Sequence, residues 1–144
     1  VGTPRAGLVG IRRSHQEARQ ALTLGRRLRG PGRLTPFDGL GVYRLIFAAE
    51  GLPELRELHD EALGALLDYD RDTNGELVRT LEAFFEARCS PKEAAALLRV
   101  HRNTVLYRLD RIREIAGFDL DDAGVRLRLH LALHAHTAIF GGEP

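Results

Sequence analysis

The sequence predicts a mainly α fold, a helical bundle around a helix-turn-helix, preceded by one helix and one short strand. Three observations carry that expectation. Apolar residues recur at three- and four-residue spacings along most of the chain, as a helix with one buried face requires. The clearest two such segments are joined only by Arg99-Val100-His101, too short for anything but a turn. A chain of 144 residues at 44% hydrophobic can bury one domain, or one domain and a fragment of another, and 6% aromatic content leaves that core to Leu, Ala, Val and Ile.

Residues 1–10 read as a loop because of Gly2, Pro4, Gly7 and Gly10. Residues 12–28 read as a helix, with Ser14 as a possible cap, Glu17 at its N3 position, and Ala18, Ala21, Leu22, Leu24 and Leu28 as an approximate apolar face. Gly30-Pro31-Gly32 ends it. Leu34 to Phe37 reads as a short strand, yet nothing else in the chain offers it a partner. Gly39 to Ala49 reads as a helix carrying Leu40, Tyr43, Leu45, Ile46 and Phe47. Pro53 opens the next, with Leu55, Leu58, Ala62, Leu66 and Tyr69 on one face and Glu54, Glu57, Asp60, Glu61 and Asp68 on the others. Asp70-Arg71-Asp72-Thr73-Asn74 reads as a turn that caps a helix from Glu76 to Arg88, whose Leu77, Leu81, Phe84 and Phe85 should support the pair that follows.

That pair spans residues 90–116. Ser90 can accept from the first-turn amides, Pro91 suits the first helical position, and Glu93 can reach back to Ser90, which makes a capping box. Ala94, Ala95, Leu97 and Leu98 form a short helix with small residues on one side, so a second helix can cross close by, and Val100 fills the angle. The second helix takes His101 as its cap and turns Val105, Leu109, Ile112 and Ala116 inward. Gly117 ends it, Asp119 to Asp122 form a loop with a cap at Asp121 or Asp122, and the last element runs to about Phe140. In that element Val125, Leu127, Leu129, Leu131 and Leu133 alternate as in a strand. Ala132, Ala135 and Ala138 favour a helix, and no partner strand exists in the second half, so helix is expected.

At about 100° per residue, Asn103, Thr104, Tyr107 and Arg111 point away from the apolar stripe, with Arg102 and Arg108 on its flanks. A helix that enters the major groove needs these types: Arg pairs bidentately with guanine and Asn with adenine, while Thr, Tyr and further Arg hold phosphates. Residues 90–116 therefore read as a DNA-binding helix-turn-helix whose site residues are Arg99, His101, Arg102, Asn103, Thr104, Tyr107, Arg108 and Arg111. Asn103 is the expected reader of a base edge, Arg102 and Arg108 are the next candidates, and Arg99 in the turn should meet only phosphate. Asp110 and Glu114 also lie outward and would repel phosphates unless paired with Arg111 or Arg113. One helix reads only a few base pairs, so a dimer on a repeated half-site is expected. The competing reading is a helical protein-interaction module whose Arg face is merely solvated.

The run Val100-His101-Arg102-Asn103-Thr104-Val105-Leu106-Tyr107-Arg108-Leu109, followed by Ile112, Gly117, Asp119-Leu120 and Arg126-Leu127, resembles the C-terminal domain of PucR-type transcription regulators, which include purine-catabolism and sugar-diacid regulators. The resemblance implies a Fis-like helix-turn-helix over residues 39–144 at the end of a longer chain. A small-molecule effector would then act on upstream regions absent here. It also implies that residues 1–38 are the C-terminal remnant of a GGDEF-like α/β domain, which would leave the lone strand without its sheet. No GGDEF signature is present, so no cyclase activity is assigned.

The net charge of +1 is unevenly spread. Residues 1–33 hold eight Arg and one acidic residue, residues 50–86 eleven acidic residues and three Arg, and residues 99–113 five Arg and one Asp, so a basic patch coincides with the second helix of the pair. A single Cys89 excludes an internal disulfide, and no segment resembles a membrane span or a signal peptide, so a cytoplasmic location is expected. His130, His134 and His136 offer an i, i+4 pair suited to Zn²⁺, but no Cys or carboxylate follows at ligand spacing. Cys89 has no resolving partner, and His59-Asp60 has no nucleophile in a recognisable motif. No enzyme activity, metal or cofactor is expected.

Overall fold

The computed structural model describes residue 2, residues 6–29, residue 32 and residues 41–140, with the backbone alone at 27–29. Among the described residues every regular element is helical: α1 (Gly7–Arg29), α2 (Tyr43–Ala48), α3 (Pro53–Thr73), α4 (Leu77–Glu86), α5 (Pro91–Leu98), α6 (Arg102–Ala116) and α7 (Ala123–Ala135), which continues as a π-helical turn over His136–Phe140. The mainly α expectation holds, and the last element is a helix. The strand expected at 34–37 lies outside the described residues. The chain divides into two compact units, one gathering Val1–Leu55 with His134–Pro144 and the other Arg56–Leu133.

In the first unit, Ala21, Leu24, Ile46, Ala135 and Ala138 form the buried centre, with Tyr43, Phe47 and Ile139 packed around it. α1 starts at Gly7, so the last four residues of the loop expected over residues 1–10 are helix, and Ser14 lies inside it rather than capping it. Gly10 costs a helix only about 1 kcal/mol relative to Ala, which its neighbours outweigh. Of the expected face, Ala21 and Leu24 are buried, whereas Leu22 is exposed. Glu17 is buried instead and pairs with Arg13 at 3.4 Å. α2 is shorter than expected because Gly41 adopts a left-handed φ of +53°, so the helix begins only at Tyr43.

The second unit has one continuous core, in which Leu63, Leu66, Leu81, Val105, Ile112, Leu120 and Leu129 are fully buried. Each such side chain contributes roughly 1.5–3 kcal/mol of burial free energy. α3 buries His59, Ala62, Leu63 and Leu66, so its inner stripe is rotated from the expected one, and His59 faces inward. Residues 70–73 of the expected turn are instead the last turn of α3, and Asn74 follows it with φ 51°, a left-handed conformation that Asn tolerates better than most. Asp70 still caps the next helix across the junction: its two carboxylate oxygens accept from the Leu77 and Val78 amides at 2.8 and 2.9 Å. α4 stops at Glu86, two residues early, because Arg88 and Cys89 are both left-handed. α4, α5 and α6 pack on one another, and the buried Ala94 and Ala95 on α5 let α6 approach closely.

Candidate nucleic-acid interface

The helix pair forms where expected, with one difference at its start. The Glu93 amide donates to Ser90 Oγ at 3.3 Å, but the Ser90 amide bonds to the Ala87 carbonyl at 3.0 Å, so the capping box is formed on one side only. The tight turn through Arg88 and Cys89 supplies the Ser90 amide with that closer acceptor.

Arg99 ends α5 in the left-handed region, at φ 56° and ψ 43°. Its amide bonds to Ala96 O and the Val100 amide to Ala95 O, a Schellman termination that Gly usually supplies. An Arg here carries roughly 1 kcal/mol of backbone strain, and its side chain is thrown outward into solvent. Val100 packs against the core. His101 caps α6 as expected, its Nδ1 accepting from the Asn103 amide at 3.1 Å, so a neutral ring carries its proton on Nε2. α6 ends at Gly117, φ +67°, whose amide bonds to Arg113 O.

Along α6 the expected site residues separate into two groups. Arg99, His101, Arg102, Asn103 and Tyr107 are exposed and Thr104 is half-buried. Arg99 and Arg102 make no ion pair with any described residue. Arg108 and Arg111 are held instead. Arg108 Nη1 lies 3.2 Å from Glu76 Oε2 and donates at 3.2 Å to Oγ1 of the fully buried Thr80, which ties α6 to the start of α4. Arg108 is therefore a brace and not the free flanking side chain that the helical spacing suggested. Arg111 donates to Glu114 at 2.8 Å, and its guanidinium sits 5.3 Å from the centroid of the Tyr69 ring. Hydrogen bonding to Tyr69, then to Glu114, pushes the Arg111 pKa up, so it stays charged. Asp110 pairs with Arg113 at 2.8 Å. Both outward acids of α6 are thus neutralised within the helix, and the free positive charge lies at its N-terminal end.

Sequence reasoning missed Glu76, Thr80 and Tyr69 as partners of this helix. No local signal marks them, because they lie 28 or more positions from their partners on α6. A polar cleft of about 440 Å³ opens between the α3–α4 junction and α6, lined by Tyr69, Asn74, Glu76, Tyr107, Arg108 and Arg111 among others. Two of the three histidines weighed as metal ligands are used in packing: His130 stacks on Phe85 at 5.0 Å, and His134 Nδ1 is 2.7 Å from Tyr43 Oη.

Residues 77–135 match the family described as the PucR C-terminal helix-turn-helix domain. Over these residues the chain is similar to the PucR-type helix-turn-helix, a domain of DNA-binding transcription regulators. The match begins at Leu77, at the start of α4, so the PucR-type domain includes the helix that braces α6. The chain is similar to the proline-responsive transcriptional activator PutR of Bacillus subtilis, 30% identical over 92% of this chain and 33% of that protein. It is also similar to the purine catabolism regulatory protein of the same organism, 30% identical over 92% of this chain and 24% of that protein. The carbohydrate diacid regulator of Escherichia coli is 31% identical over 84% of this chain and 37% of its own length. The chain thus spans about a quarter to just over a third of these relatives. No solved structure gives a significant match. These relatives are named as regulators, and the interaction-module reading is not favoured. No described helix is long and apolar enough to cross a membrane.

Proposed function

We propose that the PucR-type domain places α6 in the major groove by its N-terminal half. The observation that carries this reading is the division of charge along α6: Arg99 and Arg102 are unpaired among the described residues, whereas Arg111 and Arg113 are taken by Glu114 and Asp110. Asn103 reads a base edge and Arg102 is the second reader. Arg99, His101 through its Nε2 proton, Thr104, Tyr107 and Arg111 meet the sugar-phosphate backbone, and Arg108 orients the helix from behind. The domain acts as a homodimer on two half-sites, in the cytoplasm, without catalytic activity or cofactor. The greater length of its relatives supports a longer regulator whose small-molecule effector acts outside this chain. In that chain residues 1–38 close a GGDEF-like domain and residues 39–144 form the helical DNA-binding domain.

The test is selection of duplexes from a random pool by the purified chain, followed by titration of the selected duplex with salt. A preferred sequence and steep weakening with salt are expected. A flat salt dependence without sequence preference would return the chain to the class of protein-interaction modules.

A further inference from the structure

We propose that the α3–α4 junction is a second DNA contact, in which Asn74 joins Tyr107 and Arg111 of α6 to clamp one backbone phosphodiester beside the groove. This rests on the DNA-binding reading above and extends the contact surface to a loop that precedes the matched PucR-type segment.

An α-helix with its side chains is about 10–12 Å across and the B-form major groove about 12 Å wide, so a helix seated there has a phosphate backbone along each flank. The cleft of about 440 Å³ lies along one flank of α6, and Tyr107 belongs both to its wall and to the exposed face of the helix. Its rim is locked from within. Asn74 is left-handed at the end of α3, the Gly75 amide bonds to Asp70 O at 3.0 Å, and the Asp70 carboxylate holds the first amides of α4. A Cβ at position 75 would lie 2.7 Å from that carboxylate, so the close turn needs Gly.

Three donors around the cleft lack an acceptor. The Asn74 amide and the Tyr107 hydroxyl have no hydrogen-bond partner among the described residues, and Arg111 Nε is shielded from solvent without one. The two acids nearby leave these donors available. Glu76 has one carboxylate oxygen on Arg79 and the other on Arg108. Glu114 is largely exposed, so a phosphate can replace it on Arg111. Donors from a neutral amide, a phenol and a guanidinium around one opening suit a phosphate oxyanion. Its position beside α6 favours the DNA backbone over a free anion.

The experiment uses the full chain, a duplex that it selects, and copies of that duplex carrying single methylphosphonates. Asn74→Gly keeps the left-handed backbone while removing the amide, and Tyr107→Phe removes only an exposed hydroxyl. Each should weaken binding about three- to tenfold, equally on selected and random duplexes, with unchanged thermal unfolding. One methylphosphonate should weaken the wild type by a similar factor and leave Asn74→Gly unaffected. If the wild type binds with its sequence preference while both variants match it at every salt concentration, the clamp is overturned and the DNA-binding reading stands. Loss of the methylphosphonate coupling, or competition by inorganic phosphate at constant ionic strength that Asn74→Gly abolishes, would overturn the backbone assignment. Failure of the wild type to bind any duplex would sink the DNA-binding reading and the clamp together.

Discussion

At the residue scale, Asn103 and Arg99 lie four positions apart and do different work. Asn103 presents an amide that can both donate to and accept from one base, whereas Arg99 offers charge from a turn. Asn103→Ala should cost roughly 1–3 kcal/mol on the selected site and much less on random DNA, flattening preference at one position of each half-site. Arg99→Ala should weaken both about equally and reduce the salt slope. Competition binding on the two duplex classes, with circular dichroism to verify folding, distinguishes them. A folded Asn103 variant with full preference beside an Arg99 variant without it would mean a different docking orientation. Arg108 belongs to a third class. Its variant Arg108→Ala loses the contacts to Glu76 and Thr80, so denaturant unfolding should show a loss of about 1–2 kcal/mol.

At the element scale, the ends of the helices carry information that their middles do not. Asp70 satisfies two amides of α4 while Glu76, its N-cap residue, makes no side-chain cap. Asp70→Ala should therefore destabilise the fold by about 1–2 kcal/mol in thermal or denaturant unfolding. The two left-handed ends of the helix pair make a matched test. Gly117 has open space around its Cα, so Gly117→Ala meets no clash and should cost only the backbone term of about 1 kcal/mol. Arg99→Gly should recover up to about that much, less the added freedom of the unfolded chain, while weakening DNA binding. A stabilised variant that binds DNA more weakly is the signature that Arg99 is kept at position 99 for its charge.

At the scale of the whole molecule, charge counting sets the salt dependence. With Arg108 committed to Glu76, the expected phosphate neutralisers are the unpaired Arg99 and Arg102 together with Arg111 once a phosphate replaces Glu114 on it. Each neutralised phosphate contributes about −0.9 to the log–log slope. A monomer should then show a slope of about −3 and a dimer about twice that. Titration against salt, paired with sedimentation of the complex, checks both numbers together. A slope near −3 from a sedimenting 2:1 complex would mean that only one subunit contacts the DNA.

The positions of α3, α5 and α6 could be read from the chain because their signals are local: Pro53, Ser90-Pro91, a three-residue turn, the His101 cap, Gly117, and an apolar spacing that only a helix can bury on one side. The exposed face of α6 was legible for the same reason, since helical geometry converts spacing directly into direction. What each Arg on that face does was not. Arg102 and Arg108 are the same residue type on opposite flanks, yet one is free and the other braced. The difference lies in Glu76 and Thr80, which only the packing of α4 against α6 brings near Arg108. The inward turn of His59 on α3 was likewise decided by tertiary contact. Burial against distant residues outweighs a local preference worth about 1 kcal/mol or less per residue. Periodicity therefore determined α6 and its outer face, while the long-range contacts to Glu76 and Thr80 decided which of its flanking charges stays free.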